Sequence, residues 1–262
     1  MKGIILAGGL GTRLKPLTLV VSKQLLPIYN KPLVYYPIST LMLAGLREIL
    51  VIVMPNQKNR FVELLGNGNQ FGISFEYLIQ ESPGGIAESI ILAENFLKGD
   101  SACLILGDNI FNGPGLGRAL SLHSKVNGAH IFGYSVRDPH AFGIATLSDD
   151  DQEVLSLEEK PVNSKSNIAV PGLYFFDETA PSLAKTLKPS KRGELEIIDL
   201  LEKYREKGLL TLEMLPRSTA WFDTGTFEDM HDASTYVRIL EERTGNKVSD
   251  PLDIARIQGW VK

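Results

Sequence analysis

The chain has 262 residues, 44% of them hydrophobic and 22% charged, which suits one large globular domain with a full core. A formal net charge of -4 leaves no general basic face, so nucleic acid is not an expected partner, and a polyanionic ligand must be held by a few placed cations. The single cysteine, Cys103, excludes a disulfide within the chain and a metal site built from cysteines, and its apolar neighbours predict a buried side chain.

The apolar stretch at the start of the sequence is short. It runs from Ile4 to Ala7 and stops at the glycines Gly8 and Gly9. A signal peptide or a membrane span needs a much longer apolar segment. We therefore expect a cytoplasmic protein without a membrane partner.

Short β-rich runs alternate with segments of helical period over the first half of the chain. The pattern predicts a strand at 3–6, a helix at 33–44, a strand at 48–53, a helix at 60–65, a strand at 73–78, a helix at 86–96, a strand at 102–106, a helix at 116–126 and a strand at 129–135. Such alternation predicts an α/β fold with a mostly parallel sheet and helices on both faces. Ligands of such sheets bind at the carboxyl ends of the strands.

The pattern changes after about Arg137. Strand candidates at 142–147, 154–158 and 168–176 are joined by short polar connections, which predicts mixed or antiparallel additions to the sheet. Helical spacing returns at 194–207 and 226–243, with a strand candidate at 209–214 between these two segments. No repeat and no long linker divides the chain, which predicts a single domain.

A glycine-rich segment, Leu6-Ala7-Gly8-Gly9-Leu10-Gly11-Thr12-Arg13, follows the first predicted strand. Glycines at this place let backbone amides approach a phosphate chain without a Cβ in the way. A dinucleotide site of a dehydrogenase would need G-x-G-x-x-G opening a helix and an acid about twenty positions on. Here Pro16 interrupts an early helix, and the region around Asn30 offers no such acid. By itself, the segment predicts only a phosphate-binding turn.

Two cations and two carboxylates extend that prediction. Arg13 can offer a planar fork of donors to phosphoryl oxygens, and Lys23 stands on an otherwise apolar stretch. Asp108 and Asp223 each follow a predicted strand end, so both should reach the crevice where the glycine segment opens. Two carboxylates in one crevice can bind Mg²⁺, although each alone is also typical of a helix cap or a turn.

Longer runs of the sequence are similar to a known family. G-G-x-G-T-R-L-x-P-x-T from Gly8 and S-K-Q-L-L-P-I-Y-N-K-P from Ser22 resemble the sugar-nucleotide pyrophosphorylases, most closely the bacterial glucose-1-phosphate thymidylyltransferases. The likeness continues through L-G-D-N-I-F around Asp108 and A-W-F-D-T-G-T around Asp223. Further collinear runs lie at 156–161, 172–175 and 192–197, so the resemblance covers nearly the whole chain.

The resemblance implies a Rossmann-like three-layer sandwich of the nucleotide-diphospho-sugar transferase type, with a mixed, mostly parallel central sheet. It implies one nucleotidyltransferase domain over residues 1–262. A nucleotide-binding core would span roughly 1–136, a sugar-binding part roughly 137–226, and C-terminal helices roughly 227–262, shorter than usual for the family. A homo-oligomer is implied as well. The tetramer and a second, regulatory nucleotide site stay open, because only Gly113, Arg217 and Ile254 match the family there.

The implied reaction moves a nucleotidyl group from dTTP to α-D-glucose 1-phosphate. The sugar phosphate would attack the α-phosphate in line, with Mg²⁺ as the cofactor, and give dTDP-glucose and pyrophosphate. This is the first step of dTDP-sugar biosynthesis, for example of dTDP-rhamnose. No covalent enzyme intermediate is needed, so the task of the protein is to position two polyanions and neutralise their repulsion.

The resemblance also assigns site residues one by one. The catalytic set is Arg13, Lys23, Asp108 and Asp223. Its two aspartates, Asp108 and Asp223, are the implied metal ligands. The nucleotide-binding set is Leu6, Gly8, Gly9, Gly11, Thr12, Arg13, Gln80, Pro83, Gly85 and Asp108. The sugar-phosphate-binding set is Lys23, Gly143, Glu159, Lys160, Val170, Tyr174, Arg192 and Trp221.

The base-binding stretch departs from the family pattern. Thymidylyltransferases resemble one another in Q-x-S-P-D-G-L-A-Q-A, whereas this chain has Gly84 in place of the aspartate and Glu88 in place of the second glutamine. Gln80 keeps an amide that can pair with a pyrimidine edge. UTP therefore stays beside dTTP as a substrate, and a uridylyltransferase or another sugar-1-phosphate nucleotidyltransferase stays as an alternative.

A different class of protein is also open, namely a non-catalytic nucleotide-sugar-binding regulatory protein on the same fold. Asp108 and Asp223 argue against it, because a pure binder has no evident need for both carboxylates.

Overall fold

Strands and helices alternate along the first half of the chain in the computed structural model, which describes residues 1–148 and 153–262. The strands are β1 (Lys2–Ala7), β2 (Pro27–Ile28), β3 (Lys31–Pro32), β4 (Glu48–Val53), β5 (Ser74–Ile79), β6 (Ala102–Leu106), β7 (Ile110–Asn112), β8 (Ala129–Ser135), β9 (Gly143–Leu147), β10 (Val154–Glu159), β11 (Ile168–Ala169), β12 (Leu173–Phe176), β13 (Leu210–Met214) and β14 (Ala220–Phe222). The helices are α1 (Tyr35–Leu43), α2 (Lys58–Leu65), α3 (Glu88–Leu92), α4 (Glu94–Leu97), α5 (Leu116–Ser121), α6 (Ala180–Ala184), α7 (Ile197–Glu206), α8 (Phe227–Thr244) and α9 (Pro251–Ile257).

One mixed sheet forms the centre of the described residues. Its strand order is β10-β9-β11-β8-β12-β6-β1-β4-β5, and β13 pairs with β8 outside that path. The half made of β6, β1, β4 and β5 is parallel, as the alternation of strands and helices predicts. β12 runs antiparallel between β6 and β8, and β9, β10 and β11 add antiparallel pairs. The predicted change to antiparallel additions after Arg137 is confirmed.

Alternate residues of the parallel strands point to opposite faces of this sheet. Ile5 and Cys103 belong to a core cluster on one face, which is covered by α1, α2, α5 and α9. Ile4 and Leu104 belong to a cluster on the other face, which is covered by α3, α4, α6 and α7. The three-layer α/β sandwich is therefore confirmed, and Cys103 is fully buried, as predicted.

A third core cluster joins α8 to the small hairpin of β2 and β3. The ion pair between Lys31 Nζ and Glu241 Oε1, 2.7 Å long and almost buried, holds the far end of α8 to this hairpin. α8 begins with a capping box in which Thr226 Oγ1 accepts from the Asp229 N–H at 3.1 Å and the Asp229 carboxylate accepts from the Thr226 N–H at 3.0 Å. These contacts fix the chain directly after Asp223.

Two predicted elements are divided in the structure. The helix predicted at 86–96 is the pair α3 and α4, which meet at Ala93. The strand predicted at 168–176 is the pair β11 and β12, because Pro171 has no N–H for the ladder and the Gly172 N–H donates instead to Asn109 Oδ1 at 3.1 Å. Within the described residues, no helix combines the length and the apolarity needed to cross a bilayer.

A pair of histidines packs in an aromatic cluster away from the carboxyl ends of the parallel strands. The rings of His123 and His130 stack with their centroids 3.4 Å apart, and both contact Phe132 and Phe175. Glu213 lies 3.4 Å from His123 Nε2. The lone pairs of an imidazole lie in its ring plane, so two stacked rings do not aim them at one point. We therefore interpret the group as core packing rather than as a metal centre.

His130 should make the stability of the protein depend on pH. Burial, and next the neighbouring His123, lower its pKa from 6.5 to about 3, and the residue is only 3% exposed. Between these two pH values the unfolded chain binds a proton that the folded chain does not bind. The contribution of His130 to stability is therefore fully present above pH 6.5 and falls by about 1.4 kcal/mol for each pH unit between 6.5 and about 3.

The test compares urea unfolding of the wild type and of His130→Gln at pH 7, 6 and 5. Glutamine keeps a polar partner for the Thr211 hydroxyl, which lies 2.8 Å from His130 Nδ1. We expect the variant to lose stability less steeply as the pH falls. Equal pH slopes for the two proteins would contradict the prediction.

Candidate functional site

The carboxyl ends of the parallel strands meet at one edge of the sheet. The register pairs Ala7 with Val53 and Val53 with Ile79. On the other side of β1, Leu6 pairs with Leu106. The next residues along these strands, Gly8, Gln80 and Gly107, therefore leave the sheet side by side, and Asp108 follows directly.

The glycine segment bounds a first cavity, which we call the loop cavity. Gly11 adopts φ 58, a left-handed conformation that favours glycine, and its carbonyl accepts from Thr18 Oγ1 at 2.7 Å. The side chain of Arg13 reaches across toward Gly225, where an added Cβ would lie 3.0 Å from Arg13 Nη2. The cavity is lined by Gly9, Gly11, Thr12, Arg13, Leu14, Lys23, Gln24, Asp108 and Gly225.

Lys23 and Asp108 form an ion pair at the floor of this cavity. The Lys23 ammonium lies 3.0 Å from Asp108 Oδ2 and donates to the Asp223 carbonyl at 3.3 Å, and only 6% of the residue is exposed. The Thr224 hydroxyl donates to the Asp108 carbonyl at 2.7 Å. The strand end after β6 and the turn before α8 are thus tied together, so both predicted acidic residues lie in one place.

Asp223 lies close to other carboxylates. Burial raises the pKa of its carboxyl, and the charges of Asp229 and Asp108 raise it further. Its Oδ1 accepts from the Gly225 N–H at 3.2 Å. A half-buried carboxylate beside two others gains from a nearby cation, and carboxylate oxygens are ligands that hard divalent ions prefer. The pair Asp108 and Asp223 therefore fits a divalent metal.

A second cavity, the central cavity, adjoins the first through Arg13 and Asp108. It brings together most of the predicted sugar-phosphate residues with Asp223. Lys160 has φ 47 and donates to Glu159 Oε1 at 2.9 Å. Burial, and next the charges of Glu159 and Asp108, raise the pKa of Tyr174, so its hydroxyl keeps its proton. The predicted residues that line this cavity are Gly143, Glu159, Lys160, Val170, Tyr174 and Trp221.

The structure places Arg192 outside the residues that line the central cavity. Its guanidinium donates to Glu196 at 2.9 Å and lies 3.7 Å from Glu194 and 3.8 Å from Glu159. The hydrogen bond to Glu196 raises the pKa of Arg192. Arg192 thus lies beside Glu159 at the edge of the cavity, paired with acids. Lys23, the other predicted residue of this set, lines the loop cavity instead.

A third cavity, the side cavity, lies on the other side of the glycine segment. Gly8 permits a close approach there, since a Cβ on it would lie 2.2 Å from Gln80 Oε1. Gly85 has φ 97, and a Cβ on it would lie 2.3 Å from the Leu195 carbonyl. The lining residues are Leu6, Gly8, Gly9, Gln80, Pro83, Gly85, Ile86 and Glu194. The predicted base-binding residues are therefore brought together.

Asn109 is a site residue that the sequence analysis missed. Its Oδ1 accepts from Trp221 Nε1 at 2.7 Å and from the Gly172 N–H at 3.1 Å. Its Nδ2 donates to Asp108 Oδ1 at 3.0 Å. One buried amide thus orients a predicted metal ligand and a wall of the central cavity. Its position directly after Asp108 was the available signal. Gln24, directly after Lys23, was missed in the same way, although it lines the loop cavity.

Comparison with known proteins identifies the family. The model of the nucleotidyl transferase family matches residues 2–238. This chain belongs to that family. Members generally use a divalent metal. The glucose-1-phosphate thymidylyltransferase of Mycobacterium tuberculosis is 49% identical over 261 residues, covering 100% of this chain and 90% of that protein. The enzyme of the same name from Neisseria gonorrhoeae is 50% identical over 262 residues, covering 100% of this chain and 91% of that protein.

Two solved structures have the same fold as this chain. A Bacillus anthracis protein named for the same activity and crystallised with sucrose is 39% identical, with a TM-score of 0.83 over 91% of this chain and 95% of that chain. UDP-glucose pyrophosphorylase in complex with UDP-glucose is 22% identical, with a TM-score of 0.81 over 91% of this chain and 98% of that chain. At that identity, the second likeness concerns the fold alone.

Removing Asn109 should destabilise the protein and disorder the site. Asn109→Ala leaves the buried Gly172 N–H and the part-buried groups of Asp108 and Trp221 without their partner, which should lower the free energy of unfolding by about 3 kcal/mol. Asn112→Ala is the matched control, because Asn112 donates one hydrogen bond, to the Tyr236 hydroxyl, and should cost about 1 kcal/mol. Urea unfolding measures both, and a loss no greater for Asn109→Ala than for the control would refute the assignment.

Proposed function

We propose that this chain transfers a thymidylyl group from dTTP to α-D-glucose 1-phosphate and releases pyrophosphate. The observation that carries the proposal is the continuity of the three cavities. The loop cavity shares Gly9 with the side cavity and shares Arg13 and Asp108 with the central cavity. A base, a triphosphate and a sugar phosphate can therefore lie along one continuous surface. The relatives named for this reaction support the same choice.

The loop cavity would hold the triphosphate. Backbone amides at Gly9 and Gly11 can approach the phosphates, and Arg13 can offer them a fork of donors. Lys23 supplies a fixed ammonium at the floor, already held by Asp108 at 3.0 Å. Because these groups are placed before the substrate arrives, little reorganisation accompanies the charge that develops at the α-phosphate.

Asp108 and Asp223 would hold the divalent metal, for which we propose Mg²⁺. When bound, the ion would neutralise phosphate charge and align the two substrates. The residues around the two aspartates fix their orientation. Asn109 donates to Asp108 at 3.0 Å, and the Gly225 N–H donates to Asp223 at 3.2 Å.

The central cavity would hold the sugar phosphate. Glu159 can accept from two hydroxyls, Lys160 and Arg192 can meet the phosphate, and Trp221 gives a flat wall. The protonated Tyr174 hydroxyl can donate to or accept from the sugar. A phosphate would also compete with the acids that now pair with Arg192, so we propose that Arg192 turns from Glu196 toward the substrate.

A cytoplasmic location and assembly into a homo-oligomer remain predictions.

A release assay tests the function directly. We expect purified protein with Mg²⁺, dTTP and glucose 1-phosphate to form pyrophosphate and dTDP-glucose, measured by coupled phosphate detection and by mass spectrometry. The same assay is run with UTP, CTP and ATP, each with several sugar 1-phosphates. Absence of pyrophosphate with every nucleotide would refute nucleotidyl transfer and favour a binding protein.

The metal ligands are tested by Asp223→Asn. The amide keeps the shape but loses the charge, so we expect kcat to fall about a hundredfold or more while the unfolding midpoint is kept. Asp232→Asn is the matched control, since Asp232 is an exposed acid on α8. An unchanged rate in Asp223→Asn, or an equal loss in the control, would contradict the assignment.

A further inference from the structure

The side-chain amide of Gln80 is held in one orientation at the wall of the side cavity. Gln80 directly follows β5, and its backbone N–H donates to the Val53 carbonyl at 2.9 Å. The residue is 3% exposed. Its Nε2 donates to Glu88 Oε2, on the first residue of α3, at 2.5 Å. This contact, between a buried amide and a half-buried carboxylate, decides which end of the amide faces a ligand.

The chemistry of the two groups fixes the direction. An amide can be turned by half a rotation with almost no change in shape, so its partners decide where its oxygen lies. A carboxylate only accepts hydrogen bonds, so the nitrogen of Gln80 must face Glu88. The oxygen then lies on the opposite side, against Gly8, where a Cβ would approach it to 2.2 Å. Glu88 and Gly8 thus fix the amide from its two sides.

A carbonyl oxygen presented in this way selects for a ring N–H. N3 of thymine and of uracil carries a hydrogen, whereas N3 of cytosine is an acceptor and would face the Gln80 oxygen with like polarity. We propose that Glu88 is a positioning residue for base selection, which holds Nε2 of Gln80 so that the site accepts thymine and uracil and rejects cytosine. This inference rests on the nucleotidyl transfer proposed above and adds the residue that sets its base preference.

Gly84 leaves room for the contact between Glu88 and Gln80. A Cβ on Gly84 would lie 2.2 Å from Glu88 Oε2 and 2.3 Å from its Cδ, so any side chain at 84 competes with the Glu88 carboxylate for space. Gly84 does not adopt a left-handed φ, so glycine contributes space here and not backbone freedom, and a Cβ would make the flexible end of Glu88 move. The two residues that depart from the family pattern, Gly84 and Glu88, are therefore in direct contact with each other.

The main experiment compares kcat/KM for dTTP, UTP and CTP in the wild type, Glu88→Leu and Glu88→Gln. Leucine cannot accept from Gln80, so the amide is free to turn, and we expect the dTTP to CTP ratio to fall about tenfold or more through the KM of the nucleotide. Glutamine can still accept the same hydrogen, so Glu88→Gln should keep the ratio. Glu94→Leu is the matched control, since Glu94 pairs with Lys185 on the surface and lies outside the site.

Equilibrium binding gives a second measurement that needs no turnover. Calorimetric titration with dTTP and CTP should show the same fall in preference for Glu88→Leu. A wild type that forms no pyrophosphate would refute the proposed reaction, while the titration would still decide the role of Glu88. An unchanged dTTP to CTP ratio in Glu88→Leu, or an equal loss for all nucleotides, would overturn the inference.

Gly84→Ala tests the contact between Glu88 and Gln80 without changing either residue. The added methyl group should push the carboxylate away from Gln80 and reproduce the loss of selectivity. Because both changes act on one contact, the double variant Gly84→Ala with Glu88→Leu should be no less selective than Glu88→Leu alone. Full selectivity in Gly84→Ala, or additive losses in the double variant, would contradict the coupling.

Discussion

Parallel pairing of β1 between β4 and β6 is the constraint on which the site depends. Parallel strands in register end at the same edge, so the segments that follow them must emerge together. The glycine segment, Gln80 and Asp108 all come from these ends, although more than seventy residues separate Gly8 from Gln80 along the chain. Buried apolar residues on both faces keep the register, because a slip of one residue would turn the core face of a strand outward.

Charge at the site is balanced locally, although the chain as a whole is acidic. The formal net charge is -4, yet the loop cavity holds Arg13 and a nearly buried Lys23. Lys23 is tolerated there because Asp108 and the Asp223 carbonyl accept hydrogen bonds from its ammonium group. Arg192, which is exposed, lies near three acids at the edge of the central cavity. A polyanionic substrate would enter a region in which carboxylates already orient Lys23 and Arg192.

Long-range contacts turn these separate segments into one site. β14 pairs with β7, which brings Trp221 opposite Phe111. The Thr224 hydroxyl, directly after Asp223, then donates to the Asp108 carbonyl at 2.7 Å. Asn109 then connects Asp108, Trp221 and Gly172, which come from three different parts of the chain. α8 holds the turn after Asp223 through its capping box and its contact with the β2–β3 hairpin. The acidic pair is thus supported from both sides.

The sequence by itself determined the alternation of strands and helices, the glycine segment with its cations, and the two strand ends that carry Asp108 and Asp223. These follow from local periodicity and from residue types at fixed spacing. The segments that resemble the family added most of the residues that line the three cavities. It could not place Arg192 among three acids or find Asn109, because both depend on which distant residues meet. It also recorded Gly84 and Glu88 only as departures. Their link to Gln80 was decided by the tertiary structure, because the space that a Cβ on Gly84 would fill is occupied by the Glu88 carboxylate.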